Sequence, residues 1–218
     1  MAADLDGALR VFALASDYVD SAGLLDEVEW QRSVSLDRFT ETDLLREAAW
    51  VILCSGFRET IVRRCFDQIS LYFCDWESAS AIIKAAPFCK LAARSIFRNE
   101  AKLNAIVGVA TYIEKVGFAV FKRAVVADPI RELRHLPHIG AITVWHLAKN
   151  LGLNVAKPDR HLVRISEQLG FRDVEAFCAA VADGTGEEVK VVDIIVWRFL
   201  ADKPQLGLFT QNGAAQPV

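Results

Sequence analysis

Apolar residues along this chain recur at spacings of three and four and almost nowhere alternate with polar ones. That period marks helices with one buried face, so the chain is expected to be all-α. Residues 3–19 read as an amphipathic helix, with Leu5, Leu9, Phe12 and Leu14 among its apolar positions. Trp30 and Phe39 lie in a looser, acidic region. Thr40-Glu41-Thr42-Asp43 is a helix start, because a hydroxyl accepts from orphan N–H groups while acids suit the positive end of the dipole. The stretch 44–54 behind it is apolar nearly all round and is expected to be buried between lobes. Further helices are predicted over 58–69, 71–86 (ending before Pro87), 88–97, 101–116, 118–126 and 129–134. Three more follow over 161–169, 174–182 and 187–200, and the tail from Lys203 is expected to fray.

One stretch, 133–165, has a pattern of its own: LRHLPHIGAITVWHLAKNLGLNVAKPDRHLVRI. Leu136, Ile139, Val144, Leu147 and Leu151 mark one buried helical face on both sides of the tight segment LPHIG. A helix ends before Pro137, and Gly140 is expected to take the positive φ of the turn. Glycine there also leaves the N–H groups at the start of the next helix open, which makes a ready site for a DNA phosphate.

The same residues resemble the helix-hairpin-helix DNA glycosylase superfamily, the endonuclease III-like proteins. That family reads Leu-Pro-Gly-Val/Ile-Gly-x-Lys/Ser-Thr-Ala, followed by an aspartate shortly after the second hairpin helix. This chain supplies Leu136, Pro137, Ile139, Gly140, Thr143 and Asp159, the last lying 19 residues after Gly140, and departs at His138 and Ile142. FRNEAKLNAIV resembles the family segment that precedes the hairpin by one helix, and EAAWVILCSGF resembles its helix ending in Ser-Ala-Gln. The resemblance implies two helical lobes, 37–153 and 1–36 plus 154–218, with a DNA-binding cleft between them and the hairpin near 133–151.

Composition adjusts this picture. An apolar share of 53% is high, but the longest apolar candidate, 105–121, contains Glu114 and Lys115, so no membrane span is expected. The acidic start MAADLDGALR does not read as a signal peptide, and five cysteines in apolar contexts suit reduced core thiols, so a cytoplasmic protein is expected. Related glycosylases carry four closely spaced C-terminal cysteines around an iron–sulfur cluster. Only Cys178 follows Asp159 here, so no cluster and no other cofactor is expected. The four histidines have no cysteine or carboxylate partners at zinc spacing, so no metal is expected beyond a structural monovalent cation that the resemblance allows at the hairpin carbonyls. The net charge is −3, yet 90–172 holds 14 basic and 6 acidic residues, a local +8 around the hairpin. Such segregation favours double-stranded DNA as partner. A monomer is expected.

Cleaving a glycosidic bond passes through an oxocarbenium-like sugar, which calls for a carboxylate near the anomeric carbon and a means of holding an extruded base. The resemblance puts Asp159 in the first role; read alone, it is also a simple helix cap after Pro158. Pro137, His138, Ile139, Gly140 and Thr143 are expected to meet the DNA backbone, and Lys157, Arg160 and His161 either join them or are ordinary surface. Family members with strand-cleaving activity have lysine where Ile142 stands, and isoleucine offers no nucleophile. A lysine elsewhere, Lys102 or Lys149, is the alternative source; a core role for Ile142 is the other. Ser55, Gly56, Phe57 and Arg58 form the expected base pocket or wedge, where Phe57 either stacks on bases or packs in the core. The resulting expectation is a monofunctional DNA glycosylase serving base repair or excision of hypermodified phage bases; the alternative is a non-catalytic DNA-binding adaptor.

Overall fold

In a computed structural model, residues 3–203 are described, and they form twelve α-helices and one 3-10 turn with no strand. The helices are α1 (Leu5–Ser21), α2 (Leu25–Ser33), α3 (Glu41–Cys54), α4 (Glu59–Tyr72), α5 (Ala79–Arg94), α6 (Glu100–Val116), α7 (Phe118–Ala127), α8 (Pro129–Leu133), α9 (Thr143–Asn150), α10 (Arg160–Gln168), α11 (Val174–Thr185) and α12 (Val189–Asp202). They fall into two compact units, a central one over Ser35–Leu153 and a terminal one drawn from both ends of the chain.

The central unit holds α3 to α9. Its core gathers Leu44 and Ile52 of α3, Ile69 of α4, Ile82 of α5, Leu103 and Ile113 of α6, Phe121 of α7 and Leu147 of α9. The start of α3 obeys the sequence: Thr40 Oγ1 accepts from the Asp43 N–H at 3.1 Å while Asp43 Oδ2 accepts from the Thr40 N–H at 2.8 Å. This reciprocal box satisfies two donors that an open helix end would leave unpaired. Behind it, α3 is buried on most sides against α4, α6 and α9 of its own unit. Gly152, at φ +98, closes the unit: a Cβ there would lie 2.4 Å from the Ser35 Cα, so only glycine lets the two ends of this unit touch.

The terminal unit packs α1 against α11 and α12, with α2 and α10 alongside α12. Phe12, Val28, Leu162, Phe177 and Val196 lie in its core. Asp4, Asp159 and Asp173 each cap a helix here, accepting from the N–H groups of Gly7, His161 and Ala176.

Three expectations are corrected. α5 does not end before Pro87 but runs through it to Arg94. Pro87 is exposed, so the Ile83 carbonyl that loses its partner can turn to solvent and the helix survives. The region around Trp30 is a helix, α2, buried only at Val28 and Gln31; with a polar residue on its inner face, it has no apolar stripe to detect. Between α4 and α5, Cys74, Asp75 and Trp76 form a single left-handed turn, at φ 59°, 47° and 62°, without any glycine. Trp76 holds it, 1% exposed, its Nε1 donating to Ser70 Oγ at 2.9 Å. The expected fraying beyond Lys203 lies outside the described residues.

Candidate nucleic-acid interface

The turn between α8 and α9 is pinned from inside by Leu136 and Ile139, 2% and 5% exposed. Pro137 packs on α6, where Gly108 makes room: a Cβ at 108 would come within 3.1 Å of the proline ring. The positive φ is not at Gly140, as expected, but at His138, at +67°. His138 therefore stands in a left-handed position that favours glycine, with its ring on the exposed side.

Gly140 has a different task. Its N–H donates to Thr143 Oγ1 at 2.7 Å, inside the turn, and its carbonyl accepts from the Val144 N–H at 3.0 Å. The Gly140 N–H is thus taken up inside the turn, while the N–H groups that follow it stay open. The open donors are the next three, the N–H groups of Ala141, Ile142 and Thr143, because α9 starts at Thr143 with Ile142 as an N-cap that offers no side-chain acceptor. Ile142 is 54% exposed, which rules out the core role for it.

The second expected site meets the first within the central unit. Ser55, just past the C-terminus of α3, joins 138–143 in lining one open concavity. Gly56 follows at φ +74, and Phe57 and Arg58 are exposed. Phe57 is not a core residue: it is 42% exposed, with its ring 5.3 Å from that of Phe97. Arg131, Arg134 and His135 are exposed on α8 and on the turn that follows it.

Neither Lys102 nor Lys149 stands free to act as a nucleophile; each is 4% exposed. Lys102 Nζ donates to the carbonyls of Ile52 at 2.5 Å and Leu53 at 2.8 Å, and to that of Ser55. Burial pushes its ammonium down to about 8, with Cys54 acting the other way.

The remaining predicted residues belong to the terminal unit. Asp159 is the N-cap of α10, its Oδ1 accepting from the His161 N–H at 2.9 Å and its Oδ2 lying 3.9 Å from Lys157 Nζ. Arg160 is exposed and donates from Nε to His161 Nε2 at 3.3 Å. Burial holds the His161 imidazole below its ordinary value, ahead of a smaller opposing effect from Asp159. Burial thus favours the neutral ring of His161 over the cation.

Sequence reasoning missed what positions Asp159. The segment leading to it is tied to α11 and α12 through its backbone: the Ala156 N–H donates to Glu175 Oε2 at 2.8 Å, and the Lys157 N–H to Asp193 Oδ2 at 2.7 Å. Asp193 is 1% exposed. Its signal is a lone carboxylate in the apolar run VVDIIVW, where an unpaired charge has no place in a core.

Among the described residues there is no group of three His, Cys, Asp or Glu side chains able to hold a metal, and no single helix is long and apolar enough to cross a membrane. Comparison with protein-family models, curated proteins and solved structures finds no match.

Proposed function

We propose that the protein is a monofunctional DNA glycosylase, which extrudes a damaged or modified base from double-stranded DNA and hydrolyses its N-glycosidic bond. One observation carries this reading: the turn before α9 offers three unpartnered N–H groups, at Ala141, Ile142 and Thr143. They lie within the stretch of local charge +8. Convergent N–H groups at a helix start suit a phosphate oxygen, and surrounding cations raise its local concentration. The resemblance of 133–165 to the helix-hairpin-helix glycosylases supports the enzymatic half of the reading.

Asp159 keeps Oδ1 in the helix cap and presents Oδ2 to the sugar. As the C1′–N bond breaks, the electron pair leaves with the base, and Oδ2 stabilises the oxocarbenium charge. Oδ2 then takes a proton from the water that adds to C1′, leaving an intact strand with an abasic site. Ile142, exposed and without an amine, forms no Schiff base, so the strand is not cut. Ser55 to Arg58 hold the base. Alkylated, oxidised or deaminated DNA and hypermodified phage DNA are the candidate substrates.

One observation favours a second reading, a DNA-binding adaptor without catalysis: the capping of α10 fully accounts for Asp159 as a structural residue. Mass spectrometry of free bases released from damaged, cellular and modified phage DNA decides between them. The glycosylase releases a base, and Asp159→Asn abolishes release while DNA affinity holds. Binding without release from any of these DNAs replaces the enzyme with the adaptor.

A further inference from the structure

Lys102 sits on α6 in the run EAKLNAIV, where the sequence offered it as an alternative nucleophile. It is buried instead, and its ammonium is taken up by the far end of α3. The last turn of a helix leaves carbonyls without intrahelical partners and carries the negative end of the dipole, so a cation there satisfies both. The same ammonium lies 4.8 Å from the centroid of the Phe57 ring. One buried charge therefore holds the Ser55 carbonyl, at the rim of the concavity, and one side of an aromatic ring that stays 42% exposed.

That combination is unusual for a surface loop. The loop 55–58 has small residues and a left-handed glycine, so by itself it would have many conformations. An exposed phenylalanine on such a loop loses free energy to water unless something covers it. Here the ring is fixed outward by a cation beneath it and by Phe97 beside it. A cation on one face also draws π density toward itself, so a second π system meets less repulsion on the other.

We propose that Lys102 is a positioning residue for base recognition: it holds Ser55–Arg58 so that Phe57 presents a fixed stacking face to a nucleobase taken out of the duplex. This rests on the DNA glycosylase reading and adds the means by which the base is held. A ring face accepts any base regardless of its hydrogen-bonding edge, so this pocket selects bases by how easily they leave the stack and by size.

The test uses the full chain and two DNA duplexes, one fully paired and one with 2-aminopurine opposite an abasic gap. Anisotropy reports affinity, 2-aminopurine emission reports stacking of the extruded base, and circular dichroism confirms folding. The wild type is expected to prefer the gapped duplex and to quench 2-aminopurine. Phe57→Ala and Lys102→Met are each expected to lower gapped-duplex affinity about tenfold and to lose the quench, with paired-duplex affinity kept within about threefold. Lys102→Arg, which keeps the charge and donors, restores the quench. The double variant loses no more than Phe57→Ala alone, because both changes remove one contact. A folded Lys102→Met that quenches like wild type overturns the proposal, as does a double variant whose losses add. A wild type that binds neither duplex brings down the DNA reading itself, whereas one that binds both equally and ignores Phe57→Ala brings down only the stacking face. Should Lys102→Met not fold, Phe57→Leu, which keeps an apolar cover over the ammonium but has no ring, is expected to lose the quench, and a Phe57→Leu that quenches like wild type overturns the proposal.

Discussion

Asn150, the last residue of α9, donates from Nδ2 to Glu47 Oε2 at 2.8 Å, tying it to a buried carboxyl in the middle of α3. α9 starts just after the turn at 137–142 and α3 ends at Cys54, next to Ser55, so this bond sets the register of the two helices whose ends line the concavity. Burial pushes the Glu47 carboxyl above 4.5, against the smaller effects of Arg46 and Asn150. A carboxyl raised by folding keeps its proton longer in the native state. Its contribution is thus complete below pH 4.5 and declines as pH rises through the native value. Urea unfolding from pH 4 to 7 should show that decline in wild type and not in Glu47→Gln. Asn150→Ala, which leaves the carboxyl without its amide, should cost about 1–3 kcal/mol.

His138 occupies a left-handed position at φ +67, on the exposed side of its turn. Glycine removes the Cβ strain there, so His138→Gly should stabilise the protein by about 1 kcal/mol in thermal or urea unfolding. His138→Val, branched at Cβ, should destabilise it by about 1–2 kcal/mol. An unaltered stability in both variants would mean that the turn relaxes and imposes no such requirement.

Asp159 caps α10, and substitutions separate that role from the proposed catalytic one. Asparagine caps a helix as well as aspartate, so Asp159→Asn should change stability by less than about 0.5 kcal/mol, while Asp159→Ala should lose about 1 kcal/mol with the cap. Only a catalytic Asp159 makes both variants equally inactive in base release.

His161, held below its ordinary value, is neutral at pH 7. For a group lowered by folding, stability is complete above pH 6.5 and is lost as pH falls through the native value. In the proposed DNA complex its charge is therefore expected to take no part between pH 7 and 8. His161→Gln should leave the slope of log K against log salt unchanged, whereas Arg160→Ala should lower it by about one.

Ile142, 54% exposed at the start of α9, accepts a long polar side chain without disturbing the core. Ile142→Lys should keep stability within about 0.5 kcal/mol. With the amine at the concavity, it should yield a protein–DNA adduct trapped by borohydride, which wild type should not. Absence of the adduct in a variant that still releases base would show that the sugar lies out of reach of residue 142.

Features built on local chemistry were legible in the sequence. The start of α3 followed from Thr40 and Asp43, and the buried face of the turn from Leu136 and Ile139. Features decided by packing were not. Pro87 reads as a helix end because a proline's cost depends on whether the freed carbonyl meets solvent. The left-handed turn at Cys74–Trp76 lacks glycine because a buried tryptophan, rather than local preference, enforces it. At the site, Gly140 attracted the positive φ by composition although His138 carries it. Lys102 and Asp193 were hidden for a shared reason: a buried charge is worth its desolvation only when a distant partner waits for it, and the partners of Lys102 are carbonyls about 50 residues away.

The contact between Gly152 and Ser35 has a kinetic consequence. The terminal unit joins α1 to α12 across almost the whole chain, a closure that in an open coil would be slow and entropically costly. The central unit is continuous in sequence and can complete itself first during synthesis. Once it has, its touching ends act as a clasp, and the two outer segments meet as though a few residues of loop lay between them. Replacing Gly152 would therefore slow assembly of α1 with α12 as well.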